Sequence, residues 1–164
     1  MFKTDVNKEA VENEYNNVLQ RLPKDYPETI KNLIRTAIIS KNTMLQVPLD
    51  DYSVAVFSIL KALDCHMKYL LSLIDEKYGK KGNYNMFTVV KGNKHLLNEQ
   101  IVKKYCISSD VCNKLEMCYN FYRKERNSTF HAGTFFGGLD LTRYITDKEE
   151  ALNIFNSALD CICN

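Results

Sequence analysis

Apolar positions recur at steps of three and four along most of the chain, the spacing of one helix face after another. Val11, Tyr15, Val18, Leu19 and Leu22 predict a first helix, which Pro23 and Pro27 then break. A second helix is expected from Glu28 to Met44, with Ile30, Leu33, Ile34, Ala37 and Ile38 facing inward, before the connector Val47-Pro48-Leu49. Asp50 or Asp51 is placed to cap a third and longer helix, running to about Tyr78 and stopping at Gly79. Its apolar residues, among them Phe57, Leu60, Leu63, Met67 and Leu71, cover nearly the whole circumference, which predicts a central helix. One narrow polar stripe interrupts them: Ser58, Lys61, Asp64, Lys68, Ser72 and Asp75. That stripe is either the helix's wet edge or one wall of a groove.

A Gly- and Asn-rich connection follows from Lys80 to Asn93 around the apolar Met86–Val90, then a modest helix from about Lys94 to Lys104. The next helix should begin near Ser108–Asp110 and bury Val111, Leu115, Cys118, Tyr119 and Tyr122. One further step of four lands on Arg126, and a guanidinium on an apolar stripe is costly unless it meets an anion. Arg123 follows Glu116 and Asn120 on the polar side. Beyond His131, the run Ala132–Gly138 cannot continue a helix comfortably, and Arg143-Tyr144-Ile145 reads as a short extended piece. Thr146-Asp147-Lys148-Glu149 has the form of a capping box and opens a last helix through Ile154, Phe155, Leu159 and Ile162. The expected fold class is all-α: a bundle of five or six helices with one long loop before the last. A single domain over 1–164 is expected, with 1–22 as an N-terminal helix ahead of 23–164.

Composition narrows the function classes. At 164 residues the chain suits one domain, and no stretch approaches the ~20 apolar residues of a membrane span. Met1-Phe2-Lys3-Thr4-Asp5 carries no secretory pattern, so a cytoplasmic protein is expected. Six cysteines form no C-x-x-C pair; Cys106, Cys112 and Cys118, even taken with His95, lack the close knuckles of structural zinc. Reduced, mostly buried thiols and no metal are expected, and the Asn127-Ser128-Thr129 sequon is incidental without secretion. Net charge is only +2, yet Lys77, Lys80, Lys81, Lys91, Lys94, Lys103 and Lys104 face a single acid, Glu99. Such a band could follow a phosphate backbone or be a solvated surface.

The chemistry concentrates in Arg126-Asn127-Ser128-Thr129-Phe130-His131, where the long helix runs into the loop. A permanent cation and a group titrating near neutrality are what a metal-free phosphodiesterase needs, one to bind phosphate and one to move a proton. Asn127 would orient the loop or His131. Plainer roles stand beside these: His131 tying the loop to the bundle, Arg126 in a buried ion pair with Asp64, and Lys61 and Asp64 as a surface i,i+3 pair. His66 and His95 read as structural.

Three stretches carry a family resemblance: Asp51-Tyr52-Ser53 leading into Ile59-Leu60-Lys61-Ala62-Leu63-Asp64-Cys65-His66-Met67-Lys68-Tyr69-Leu70; Tyr119 through His131; and Thr142 through Ala151. Together they resemble the HEPN-domain ribonucleases, and within them the C-terminal, Dmd-binding domain of RnlA/LsoA-type toxins, the messenger-RNA-cleaving components of a toxin–antitoxin pair used against phage. The resemblance implies a metal-independent endoribonuclease without cofactors, with Arg126 and His131 catalytic. Lys61 and Asp64 stand where family members carry an Arg-x-x-Glu pair. It further implies a homodimer with two motifs across a shared groove, RNA as substrate, products with a 2′,3′-cyclic phosphate and a 5′-hydroxyl, and a cognate antitoxin or phage-encoded inhibitor as partner. Family toxins carry further N-terminal domains, which a chain starting at Met1 is expected to lack. An alternative is therefore a weak or inactive dimerisation and antitoxin-binding module, with Phe135 and Phe136 in the Gly133–Asp140 loop as partner anchors. A nucleotidyltransferase-partner domain of the same superfamily is a third reading.

Overall fold

The structure, a computed structural model, describes residues 7–80, 84–129, 135–136, 139–140 and 143–163. It is an all-α bundle in the order α1 (Lys8–Arg21), α2 (Glu28–Met44), α3 (Ser53–Ile74), a 3₁₀ turn (Glu76–Gly79), β1 (Phe87–Val90), β2 (Lys94–Leu97), α4 (Glu99–Lys104), α5 (Ser109–Thr129), β3 (Phe135–Phe136), β4 (Leu139–Asp140) and α6 (Lys148–Cys163). The central position read from the circumference of α3 holds: it packs against α2, α5 and α6. Val56, Ile59, Leu60, Leu63 and Leu71 are fully buried in it, each contributing about 1.5–3 kcal/mol over an exposed side chain. Ile30, Ile34, Ala37 and Ile38 of α2 and Ile154, Phe155, Leu159 and Ile162 of α6 meet it as expected. Asn7 caps α1 by accepting from the Ala10 N–H at 3.1 Å, and Arg21–Asp160 ties α1 to α6 at 2.8 Å.

Several boundaries depart from the periodicity. α3 ends at Ile74 rather than near Tyr78, because Asp75 turns to extended geometry and accepts from the Lys77 N–H at 3.1 Å, starting the 3₁₀ turn. Gly79 then lies so close to α3 that a Cβ there would come within 2.6 Å of Ser72 Cβ. The helix expected from Lys94 is instead strand first. β1 and β2 form an antiparallel hairpin, Phe87 opposite Leu97 and Val90 opposite Lys94. Gly92 (φ 83°) and Asn93 (φ 61°) supply the left-handed backbone of its turn. α4 opens only after Asn98, whose side chain accepts from the Gln100 N–H at 2.9 Å. On α5 the first fully buried residue is Leu115; Val111, in the first turn, is exposed. The cap of α6 is Asp147 rather than Thr146, accepting from the Glu149 N–H at 3.0 Å.

Arg143 to Ile145 run without regular pairing, but Ile145 is buried and doubly tethered. Its C=O accepts from the Tyr52 N–H at 2.7 Å and its N–H donates to Asp51 Oδ1 at 3.0 Å. The same Asp51 oxygen accepts from the Ser53 N–H (2.9 Å) and hydroxyl (2.6 Å). One carboxylate thus starts α3 and pins the segment entering α6. β3 and β4 form a two-residue ladder, Phe135 opposite Asp140. The anchor roles expected of the Phe135 and Phe136 side chains lie outside what is described.

Candidate functional site

Positions 57, 58, 60, 61 and 64 lie along one side of α3, and positions 122 and 126 form one step of four on α5. Where the two helices pack, these residues wall an open cleft of about 260 Å³, lined by Phe57, Ser58, Leu60, Lys61, Asp64, Tyr122 and Arg126. The upstream half of the polar stripe on α3 is therefore a groove wall. Of the expected site residues, Lys61, Asp64 and Arg126 come together here. Asn127 lies in the last turn of α5. His131 lies outside the described residues.

Arg126 differs from the expectation of a guanidinium buried on the apolar face. The side chain is exposed, because the last turn of α5 carries it to the mouth of the cleft. The ion pair with Asp64 is not formed, and among the described residues no carboxylate lies within 4.0 Å of the Arg126 guanidinium. The buried charge at this end of α5 is Glu125, held by Arg143 at 3.2 Å and Lys124 at 3.1 Å.

Asp64 is not paired with Lys61 either. The Lys68 ammonium, one turn further along α3, bonds Oδ2, and the Tyr84 hydroxyl donates to Oδ1. Lys61 is exposed beside them, its ammonium uncommitted to a carboxylate among the described residues. Both hydroxyls around Asp64 resist ionisation. Burial raises the Tyr84 pKa and its hydrogen bond to Asp64 raises it further. Burial likewise raises that of Tyr122, the Asp64 charge adds to it, and the Arg126 charge opposes. At neutral pH both are protonated, and Tyr84 donates to the Asp64 carboxylate. Periodicity places Tyr122 on the buried face, where it is, but gives no sign that it also lines the cleft. Tyr84 carries no signal at all: it sits in a loop twenty residues from Asp64, with no periodic relation to it.

His66 and His95, for which a structural reading is favoured, are both packed into the bundle. His66 is buried and bonds through Nδ1 to the Tyr26 hydroxyl. His95 is buried with its ring edge-on to Tyr119, centroids 5.4 Å apart. Cys118 and Cys161 are buried, Cys106 is exposed and Cys65, Cys112 and Cys163 are half-buried, all as free thiols. Among the described residues no three His, Cys, Asp or Glu side chains cluster for a metal ion, and no helix is long and apolar enough to cross a membrane.

The family described as RNase LS, bacterial toxin DBD domain (RnlA toxin) matches residues 7–133, a span that takes in α1 to α5. No curated protein sequence matches the chain. Among solved structures, the Escherichia coli toxin LsoA, in a crystal structure of its complex with the T4 phage antitoxin Dmd, superposes with a TM-score of 0.77 at 25% identity. That match covers 99% of this chain, which in turn spans 61% of LsoA. A family match over most of the chain, with a similar fold in a solved bacterial toxin, leads to one conclusion: the chain belongs to the RnlA toxin family, within its RNase LS toxin DBD domain.

Proposed function

We propose that this chain is a metal-independent endoribonuclease domain of a toxin, neutralised by a protein antitoxin. The observation that carries the reading is the cleft: Lys61 and Arg126, on different helices, converge there, and neither is neutralised by a carboxylate among the described residues. An open site with two cations suits a phosphodiester.

RNA brings its own nucleophile, the ribose 2′-OH. Arg126 grips the phosphate and stabilises the charge added in the transition state, and Lys61 adds to that field. His131, five positions beyond Arg126 in the chain, moves the proton, with an ordinary pKa of ~6.5 close to neutrality. Attack by the 2′-OH leaves a 2′,3′-cyclic phosphate and a 5′-hydroxyl. A second copy of the chain supplies the facing motif, making the active form a homodimer. LsoA is held by the antitoxin Dmd in its crystal structure, and that supports a cognate antitoxin or phage-encoded inhibitor as this domain's protein partner. The same likeness favours a second reading, a domain that binds antitoxin and cuts nothing.

Cleavage of RNA in EDTA by purified protein, compared with Arg126→Ala and His131→Ala, separates the two. The enzyme reading expects EDTA-resistant cutting, cyclic phosphate ends, and losses of about 10² to 10³ for Arg126→Ala and about 10² to 10⁴ for His131→Ala. An inert wild type that still binds antitoxin leaves the binding module.

A further inference from the structure

The polar face of α5 carries Asn120 and Arg123 one turn apart, and the hairpin packs against it. His95 of the hairpin is buried there, yet nothing in its packing requires a histidine. Its backbone N–H and C=O both bond to the Asn120 side chain, and any residue could offer those groups. Its ring lies edge-on to Tyr119, a contact phenylalanine would make as well. Its ring nitrogens set it apart. Among the described residues neither has a hydrogen-bond partner, and neither is closed off from solvent as Nε2 of His66 is. Although His95 is only 4% exposed, it lines a cavity of about 270 Å³ together with Asn93, Asn120, Arg123 and Lys124. We infer that this cavity is a second phosphate site, taking a phosphodiester of the same RNA strand that Arg126 holds in the cleft. Arg123 supplies the charge and the His95 imidazole a fixed N–H donor. The site rests on the endoribonuclease reading and extends the RNA path from the cleft to the hairpin.

No carboxylate stands in the walls of this cavity. Arg123 is exposed, and among the described residues no carboxylate lies within 4.0 Å of its guanidinium. Lys124 is partly committed, 3.1 Å from the buried Glu125, so Arg123 is the main source of charge. The adjoining cavity, which shares Asn93 and Asn120, has Glu116 in its wall, and that carboxylate repels an anion. Size favours a strand over a free nucleotide: about 270 Å³ falls short of the ~300 Å³ at which small-molecule sites begin. An imidazole presents an N–H in either protonation state. On a buried ring with a clamped backbone, that donor loses little freedom when a phosphate arrives. Arg123 precedes Arg126 by three residues, about 4.5 Å along the axis of α5. A strand held at the cleft therefore meets Arg123 within one turn.

The test is a methylphosphonate scan of a short 2′-O-methyl oligonucleotide, which the protein cannot cut, against the full chain. Each oligonucleotide lacks the charge of one phosphate, and fluorescence anisotropy gives its Kd. Wild-type binding should weaken about tenfold at two separate linkages, as for a lost hydrogen bond to a charged group. Arg126→Ala should remove the sensitivity at one linkage, Arg123→Ala and His95→Phe at the other. Each of these last two should weaken the unmodified strand about tenfold, and both together little more than either, because they share one phosphate. His95→Phe keeps a ring against Tyr119, so a merely structural histidine would leave the affinity at the wild-type value. That result, wild-type binding in Arg123→Ala, a loss spread evenly over all linkages, or a wild type that binds no oligonucleotide overturns the inference. Should His95→Phe fail to fold, Arg123→Ala, at an exposed position, carries the scan alone. Inorganic phosphate reads the other source of this anion. If it shifts the Arg123 Nε signal in ¹⁵N NMR while the scan finds only the Arg126 linkage, the site belongs to a free anion and the strand assignment falls. RNA cut in EDTA with no second sensitive linkage keeps the enzyme reading and refutes the site. Two sensitive linkages without cutting do the reverse.

Discussion

Asn120 on α5 spans both backbone groups of His95 on β2: its Oδ1 accepts from the His95 N–H at 2.8 Å and its Nδ2 donates to the His95 C=O at 2.8 Å. One residue pair away, Glu116 Oε1 accepts from the Leu97 N–H at 2.9 Å. The outer edge of β2 is thus completed by side chains of a helix, which is how a two-stranded hairpin becomes part of an α-bundle. Asn120→Ala leaves two backbone groups of a buried residue without partners. We expect a loss of about 2 kcal/mol in urea unfolding, at about 1–3 kcal/mol for each buried group unsatisfied. The amide of His95 should lose its hydrogen-exchange protection. Protection equal to wild type would mean that the hairpin holds without Asn120.

Asp51 collects three hydrogen bonds, from the Ser53 N–H and hydroxyl and from the Ile145 N–H ninety-four residues away. Asp51→Ala is expected to cost about 1–2 kcal/mol at pH 7, as for loss of a helix-start acceptor. The pH dependence has a definite sign. Burial alone would raise the pKa of Asp51, but the bonds from Ser53 and Ile145 outweigh it, and the net shift is downward. A depressed carboxylate contributes stability above its ordinary value of ~3.9 and loses it as pH falls through the folded-state pKa. The gap in melting temperature between wild type and Asp51→Ala should therefore be constant from pH 7 to about 4.5 and narrow only in stronger acid. A gap already closing near pH 6 would point to a different group.

His66 titrates in another window. Burial, and secondarily the charge of Lys114, lowers its pKa to about 4, and its Nε2 meets no hydrogen-bond partner among the described residues. The unfolded chain takes up this proton near 6.5 and the folded one only near 4, so stability is intact above 6.5 and falls as the pH drops between those values. The loss amounts to about 3 kcal/mol, at ~1.4 kcal/mol for each tenfold difference in proton affinity between the two states. Urea midpoints at pH 7.5 and pH 4.5 measure it. His66→Leu should be less stable than wild type at pH 7.5, having lost the bond to Tyr26, yet show a much smaller drop on acidification. An equal drop in the two proteins would acquit His66.

The parts of this fold legible in the sequence are those set by local periodicity. Glu28–Met44 and the apolar face of α6 follow from spacing alone, and the near-continuous apolar circumference of α3 puts it at the centre. What escapes depends on partners far along the chain. Lys94–Leu97 reads as the start of a helix until Gly92 and Asn93 fold it back on Phe87–Val90 and Asn120 secures its edge. Arg126 follows the apolar stripe by count, but a helix's last turn need not be covered by what covers its middle, and the guanidinium emerges at the cleft mouth. The nearness of Lys61, Asp64 and Arg126 is implied by family resemblance, whereas Tyr84 and Tyr122, which surround Asp64, give no signal of that role. A carboxylate's partners are chosen by tertiary packing, which periodicity does not record.

The basic band from Lys77 to Lys104 divides once its partners are known. Lys77 is committed, its ammonium 3.2 Å from Asp75 and 3.2 Å from the Tyr105 hydroxyl, and the Tyr105 bond, with help from Lys77, draws the Asp75 pKa down to about 2. Lys103 lies 4.0 Å from Glu99. Lys91 and Lys94 flank the hairpin turn, exposed, in a stretch from Lys77 to Asn98 without a single acidic residue. Were RNA to run along this face, these two would neutralise phosphates and the paired lysines would contribute less, since they must first exchange a partner. Binding of a 2′-O-methyl oligonucleotide, which lacks the free nucleophile and cannot be cut, reads this directly. Lys91→Glu/Lys94→Glu should weaken binding and flatten the slope of log K against log salt by roughly 0.7 for each phosphate no longer neutralised. Lys77→Glu/Lys103→Glu should flatten it less. Melting temperature of the Lys91/Lys94 variant should stay near wild type, because both side chains are exposed. Parallel salt slopes in wild type and that variant would remove the hairpin from the RNA path and confine binding to the cleft.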